Sequence, residues 1–185
     1  MQYFSSDWHL GHANIIKYDK RPFKNVSHMD DTIITEHNNI VTEADDFYFL
    51  GDFCMGDTSN IETYLARVRG KKYFIKGNHD KKATIDLYKK YGTYLGSLAE
   101  IDVDGTSIVL CHYAMRVWNK SHRGSYHLYG HSHGSLPEDP NSLSFDVGVN
   151  SWDYKPISFE QIGAKMKTKT FKPIDHHGAK HFKKP

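Results

Sequence analysis

The first half of the chain alternates short apolar runs with longer amphipathic stretches. Gln2–Ser6 is long enough for one strand and leads straight into Asp7. Ser27 reads as an N-cap with Asp30 three residues on. Met29, Ile33, Ile40 and Val41 then mark one face of a helix. Asp46–Leu50 is a second strand, ending at Gly51-Asp52. Ser59 and Glu62 repeat the capping pattern, and Ile61, Tyr64, Leu65 and Val68 follow at helical spacing until Gly70 stops the run. Lys72–Lys76 is a third strand, ending at Gly77-Asn78-His79-Asp80, and a helix is expected over Lys82–Tyr91, closed by Gly92.

The second half changes rhythm. Asp104-Gly105 between Glu100–Val103 and Thr106–Leu110 is a hairpin signal, and Leu128–Tyr129 and Leu143–Val149 supply further strands. Helices between strands first, then mostly strands, predict an α/β fold: a sandwich of two mixed β-sheets flanked by helices.

The 185 residues suffice for one domain, expected over 1–163, with a basic C-terminal strand or tail over 164–185. With 38% apolar and 14% aromatic residues the chain can fill a core, which excludes intrinsic disorder. No apolar run approaches the ~18–20 residues of a membrane span, and the start MQYFSSDWHLGH has no basic and apolar leader pattern. Two cysteines make no disulfide framework, so a reducing cytoplasm is expected. Past Gly163 seven lysines face one acid, Asp175, leaving the first 163 residues at −4. Such a tail could touch nucleic acid, but no helix-turn-helix, RNA-binding signature or finger spacing supports that, and a solvated terminus is the simpler reading. The same holds for His176, His177 and His181 as chance metal ligands. No Gly-rich G-x-x-x-x-G-K-[ST] loop occurs either.

Thirteen histidines in 185 residues point instead to a metal. The polar clusters fall just past strand ends, where open α/β sheets bind ligands: Asp7 and His9, Asp52, Asn78 and His79, His112, then His131 and His133. Asp7-x-His9, Gly51-Asp52, Gly77-Asn78-His79-Asp80, His112 and Gly130-His131-x-His133 occur in that order. Together they resemble the calcineurin-like metallophosphoesterase superfamily from residue 3 to about 150, and the opening SSDWHLGHANIIKYDKRPF looks like its small single-domain bacterial and phage members.

The resemblance implies a two-metal centre. Asp7, His9 and His133 would hold one cation, Asn78, His112 and His131 the other, with Asp52 bridging. A carboxylate between two cations offsets their repulsion, and a bridging water deprotonated to hydroxide would attack phosphorus. Mixed nitrogen and oxygen donors suit Mn, Fe, Co, Ni or Zn and argue against calcium. Neither Cys54 nor Cys111 belongs to the ligand set; both are expected to pack as small apolar residues. By the same resemblance His79 would protonate the leaving oxygen, with Asp80 orienting its imidazole. His12, Arg21 and Arg116 are the favoured phosphate contacts. Trp8, Tyr113, Trp118 and Trp152 could stack on a base, although packing in a wall or core is the simpler role.

The implied partner is a phosphoester substrate, possibly a nucleotide. Diesters are favoured over monoesters because the body is net −4, poorly suited to a dianion, and a chain too short for a cap domain leaves an open cleft for a second ester substituent. A phosphomonoesterase is the alternative, and an inactive binding scaffold on the same fold a further one.

Overall fold

The computed structural model describes residues 1–55 and 58–175. Five strands form one sheet in the order β4-β3-β2-β1-β9. In it β1 (Gln2–Ser5), β2 (Asp46–Phe49), β3 (Lys71–Ile75) and β4 (Thr93–Gly96) are parallel, and β9 (Ile157–Ser158) runs antiparallel to β1. The second sheet has the order β5-β6-β7-β8. Here β5 (Leu98–Val103) and β6 (Thr106–Cys111) form the expected hairpin, and β7 (Tyr126–Tyr129) and β8 (Ser144–Asp146) continue parallel to β6. Both sheets are mixed.

Alternation along the strands feeds two cores. Phe47, Phe49 and Phe74 face the helices α1 (Ala13–Tyr18), α2 (Val26–Ile40), α3 (Thr58–Arg67) and α4 (Lys82–Tyr91), packing with Trp8, Met29, Leu65 and Tyr88. Phe4 and Ile75 point the other way, into a layer shared with Ile108, Leu110, Leu128 and Phe145 of the second sheet. Strands buried on both faces explain the continuous apolar runs in the sequence. Truncating one of these phenylalanines would cost about 3–5 kcal/mol.

Local expectations fail where a side chain finds a distant partner. The N-cap of α2 is Asn25, extended at φ −163°, whose side chain accepts from the His28 amide at 2.9 Å; Ser27 lies inside the helix. Asp30 is buried and accepts from Gly11 N and Tyr64 OH instead. Helix α3 begins at Thr58, and Glu62 takes hydrogen bonds from Lys90 and Tyr91 of α4 in place of closing a capping box. The Leu143–Val149 strand shrinks to β8, because Asp146 turns its carboxylate to the amides of Gly134 and Gly148.

Helix α5 (Phe159–Lys167) has a full Ser158/Gln161 capping box and buries Ile162 and Met166, so it crosses Gly163. The residues just past 163 therefore belong to the packed body. His176, His177 and His181 lie outside the described residues. Among the described residues no helix is long and apolar enough to cross a membrane.

Candidate metal centre

The loops that leave β1, β2, β3, β6 and β7 meet at one edge, tied by backbone hydrogen bonds. Asp7 N donates to Gly51 O at 3.1 Å, His9 N to Asp52 O at 3.1 Å, and Gly130 N to His112 O at 2.9 Å. Five of the seven expected ligands occupy the left-handed region: Asp7 (φ 59°), His9 (53°), Asp52 (61°), His131 (66°) and His133 (48°). Such conformations cost of order 1–3 kcal/mol each and persist where surrounding structure enforces them, as at functional sites. Two motif glycines have a steric reason. A Cβ at Gly77 would lie 2.1 Å from Asp52 Oδ1, and one at Gly130 would lie 2.4 Å from Asp7 Oδ2.

Each carboxylate has one oxygen tied down and one facing inward. Asp7 Oδ2 accepts from Ser6 Oγ at 2.6 Å and His131 N at 2.9 Å, while Asp7 Oδ1 is buried and unpartnered. Asp52 Oδ1 accepts from His79 N at 2.9 Å. Its Oδ2 lies 3.8 Å from His9 Nε2 and 3.4 Å from His112 Nε2, between the two expected ligand groups.

Hydrogen bonds from behind orient the imidazoles. His112 Nδ1 meets Leu50 O at 2.7 Å and His133 Nδ1 meets Asp19 Oδ2 at 2.6 Å, which leaves each Nε2 turned inward. Inside, His9 Nε2 and His133 Nε2 are 3.1 Å apart, and Asn78 Oδ1 is 2.9 Å from both His112 Nε2 and His131 Nδ1. Burial pushes His9 down to about 4. Burial also disfavours charge on His133, but Asp7 and Asp19 outweigh it and raise His133 to about 9.

These features fit a bound cation. An orphaned, buried carboxylate oxygen is costly without a partner, and the field at His133 favours positive charge. Donor atoms of Asp7, His9 and His133, and again of Asp7, Asp52 and His112, lie within 4.8 Å of one another. Asp7 thus belongs to both groups and is more central than its assignment to one cation implies. Nitrogen and carboxylate donors without sulfur suit a divalent transition metal.

The remaining candidates divide. His79 is exposed, with its ring 5.6 Å from that of His9. His12 stands beside it, its ring 5.9 Å from His9, and lines a cleft with Asn78 and His79. Burial, with the nearby His79, lowers the His12 pKa. Asp80 does not serve His79: it is buried and accepts from Gly77 N at 2.8 Å, Asp52 N at 3.1 Å and Tyr88 OH at 2.8 Å, so it braces the Asp52 loop. Arg21 does not face phosphate either. Its guanidinium is buried and donates to the carbonyls of Asp7 at 2.9 Å and Trp8 at 2.8 Å, a strut beneath the first ligand loop. Arg116 is exposed and lines a separate cavity that includes Trp118. Trp8 is core, Trp152 packs beside Phe145, and the Tyr113 ring lies 4.7 Å from that of His131. Burial raises the Cys54 thiol to about 12, in keeping with apolar packing.

Sequence reasoning passed over Asp19 and Asp146. Asp19 holds His133 and Asn150, and Asp146 fixes the turn that carries His133. A carboxylate 12 residues past a metal motif gives no local signal of this. In the structure Asp19 also lies 3.5 Å from the Arg21 guanidinium, two residues on in the chain.

Several known proteins are similar to this chain. An uncharacterized protein of Methanocaldococcus jannaschii, MJ1445, is 33% identical over 167 residues, covering 86% of this chain and 88% of its own. The Aquifex aeolicus protein of unknown function AQ665 superposes with a TM-score of 0.69 at 25% identity, covering 89% of this chain and 98% of that one. A Pseudomonas putida nuclease, MPE, is more distant, with a TM-score of 0.45 at 16% identity over 71% of this chain and 61% of that one. Residues 5–148 match the calcineurin-like phosphoesterase superfamily domain, and the chain belongs to that superfamily.

Proposed function

We propose that the chain is a two-metal-dependent phosphoester hydrolase that prefers diesters to monoesters. The observation that carries this reading is Asp7 Oδ1, buried without a partner among the inward nitrogens of His9 and His133 at 3.9 and 3.5 Å. Asp7, His9 and His133 would hold one cation, Asn78, His112 and His131 the other, and Asp52 both. Two Mn, Fe, Co, Ni or Zn ions bound there would supply Lewis acidity, a water acidified toward neutrality and a sink for charge on the phosphate oxygens.

The chain's own groups do the rest. Asp7 and Asp52 bring the negative charge that lets two cations approach. Asp80 fixes the Asp52 loop through two backbone amides. His79, outside the expected ligand set and open to solvent, would give a proton to the leaving oxygen, and His12 would hydrogen-bond a phosphate oxygen. With Arg21 spent as a strut and Arg116 on another cavity, neither favoured arginine is left to clamp phosphate, and Lys20 and Lys81 are the cations that line the clefts beside the expected ligands. A diester monoanion needs fewer cations than a monoester dianion, and this supports the diester preference.

The deciding assay compares kcat/KM for bis-p-nitrophenyl phosphate and p-nitrophenyl phosphate with Mn²⁺, Ni²⁺ and Zn²⁺. Higher values for the diester are expected; preference for the monoester with every metal overturns the diester reading. His79→Gln should keep both metals yet slow turnover by about 10²–10⁴-fold. The loss should shrink for esters whose leaving groups need no proton. Equal slowing across leaving groups would remove His79 as the acid.

A further inference from the structure

A second cavity, of about 350 Å³, lies on the outer face of the four-stranded sheet. Tyr129 lines it while its neighbour Leu128 points into the inter-sheet core, as alternation along β7 requires. Its walls are the turn that follows His112, the stretch that follows His133, and residues 171–175. Val117, Leu136, Phe171 and Ile174, each between 40% and 46% exposed, all line it. Exposed apolar side chains are ordinarily scattered singly, and their convergence on one hollow marks a binding surface.

Two polar atoms complete it. Ser121 Oγ and Asp175 Oδ1 are buried, have no hydrogen-bond partner, and belong to residues that line the cavity. Ser121 as a whole is 8% exposed. A ligand that pairs with them relieves the cost of leaving them unmade. Trp118 is fixed as a wall, its Nε1 donating to Ser125 Oγ at 3.0 Å and Ser125 O at 3.2 Å.

The ligand this chemistry selects is flat, largely apolar on its faces, and edged with N–H donors for a carboxylate. The volume is at the small end of the roughly 300–1,000 Å³ of ligand sites, enough for one ring system and its sugar. The two cations of the lining, Arg116 and Lys172, are matched by Asp139 and Asp175, so the cavity carries no net charge to hold the phosphate of the same ligand. The metal centre is within reach. Ala114 is two residues past His112 and Leu136 three past His133, at most about 7 and 11 Å of extended chain.

We propose that this cavity is a nucleobase subsite, so that the ester cut at the metal centre is a nucleotide or nucleic-acid phosphoester whose base is held by Ser121 and Asp175. This deepens the phosphoesterase reading and rests on it for the cleavage step. The first test avoids that step. Isothermal titration of the metal-free protein should show binding of thymidine or guanosine, and at least about tenfold weaker binding of ribose. Ser121→Ala and Asp175→Asn should each weaken the nucleoside by roughly 3–10-fold, as loss of one hydrogen bond does. Failure of both nucleosides to bind, or binding that neither variant alters, overturns the subsite even if the metal enzyme is active.

The second test uses the metal-loaded enzyme and compares kcat/KM for p-nitrophenyl thymidine 5′-phosphate with that for bis-p-nitrophenyl phosphate. The same variants should lower that ratio, mainly through KM. An unchanged ratio with nucleoside binding intact would make the cavity an effector site and overturn its role in the substrate. An inactive wild type would overturn the hydrolase reading alone, leaving the titration to decide the cavity.

Discussion

Asp7 and His9 are buried and His133 is braced by Asp19, whereas Asn78 and His131 stand exposed and only His112 of that group is buried. The two ends of the site also differ in charge. The first has a second carboxylate, Asp19, behind His133; the other has an amide and two imidazoles, and Asp7 and Asp52 lie within reach of its His112. A closed, anionic end holds a cation tightly, while an open end of neutral donors holds one loosely and leaves room for substrate. On the proposed two-cation reading, the first end would serve retention and the second access, with Asp52 joining them.

The largest expected effect comes from removing the joint. Asp52→Asn should lower the affinity of both ends together, because one inward oxygen lies 3.8 Å from His9 and 3.4 Å from His112. Activity should fall by more than the about 10²-fold typical of losing a single stabilising group. Metal analysis after gel filtration, with circular dichroism to confirm folding, checks it. Retention of two equivalents at wild-type affinity would show that the ends are independent.

The strands were legible in the sequence because apolar runs obey local rules, whereas the expected ligands were marked by their place at strand ends and by the family resemblance of their motifs. Apolar runs such as Asp46–Leu50 were followed at once by ligand-type residues, and β2 and α4 emerged within one residue of expectation. What was not legible depended on what a side chain meets across the fold. Arg21 looks like a loop cation until Asp7 and Trp8 turn their carbonyls to it. Asp80 follows His79 in the chain but faces the other way, toward Gly77, Asp52 and Tyr88. Strand β4, Thr93-Tyr94-Leu95-Gly96, has only two apolar residues in a row and β9 only two residues in all, and they gain their identity from pairing with β3 and β1.

A smaller effect tests whether the two ends share the same footing. His37 packs under the first end, its ring 5.3 Å from that of Trp8, and burial holds it down to about 4. His127 lies behind the second end, accepting from Met115 N at 3.1 Å, and burial holds it at about 4 as well. Both are neutral when folded, while the unfolded chain takes up a proton below its ordinary value near 6.5. Their stabilisation is therefore complete above pH 6.5 and is lost as pH falls toward 4. The slope is about 1.4 kcal/mol per unit for each, on the order of 3 kcal/mol by pH 4. Urea unfolding of the metal-free protein at pH 7 and pH 5 should show that slope reduced to a similar degree in His37→Gln and in His127→Gln. An unchanged slope in either variant would mean that this histidine does not stay neutral in the folded chain.

The smallest effect separates the ends most sharply. Asp19 reaches only the first end, through His133 Nδ1 at 2.6 Å, and its own acidity reflects that bond: burial opposes its charge, but His133, Asn150 and Arg21 together keep its pKa below the ordinary value. Asp19→Asn keeps an acceptor near His133 while removing the charge that makes the imidazole a stronger donor to metal. Outer partners of this kind are worth about 10–100-fold in metal affinity. Competition with a fluorescent chelator resolves the tight equivalent from the weak one. The tight equivalent should weaken by that factor and the weak one should stay within about twofold, since no bond from Asp19 reaches Asn78, His112 or His131 among the described residues. Equal weakening of both equivalents would show that the site responds as one unit, and the contrast between a retaining end and an open one would have to be given up.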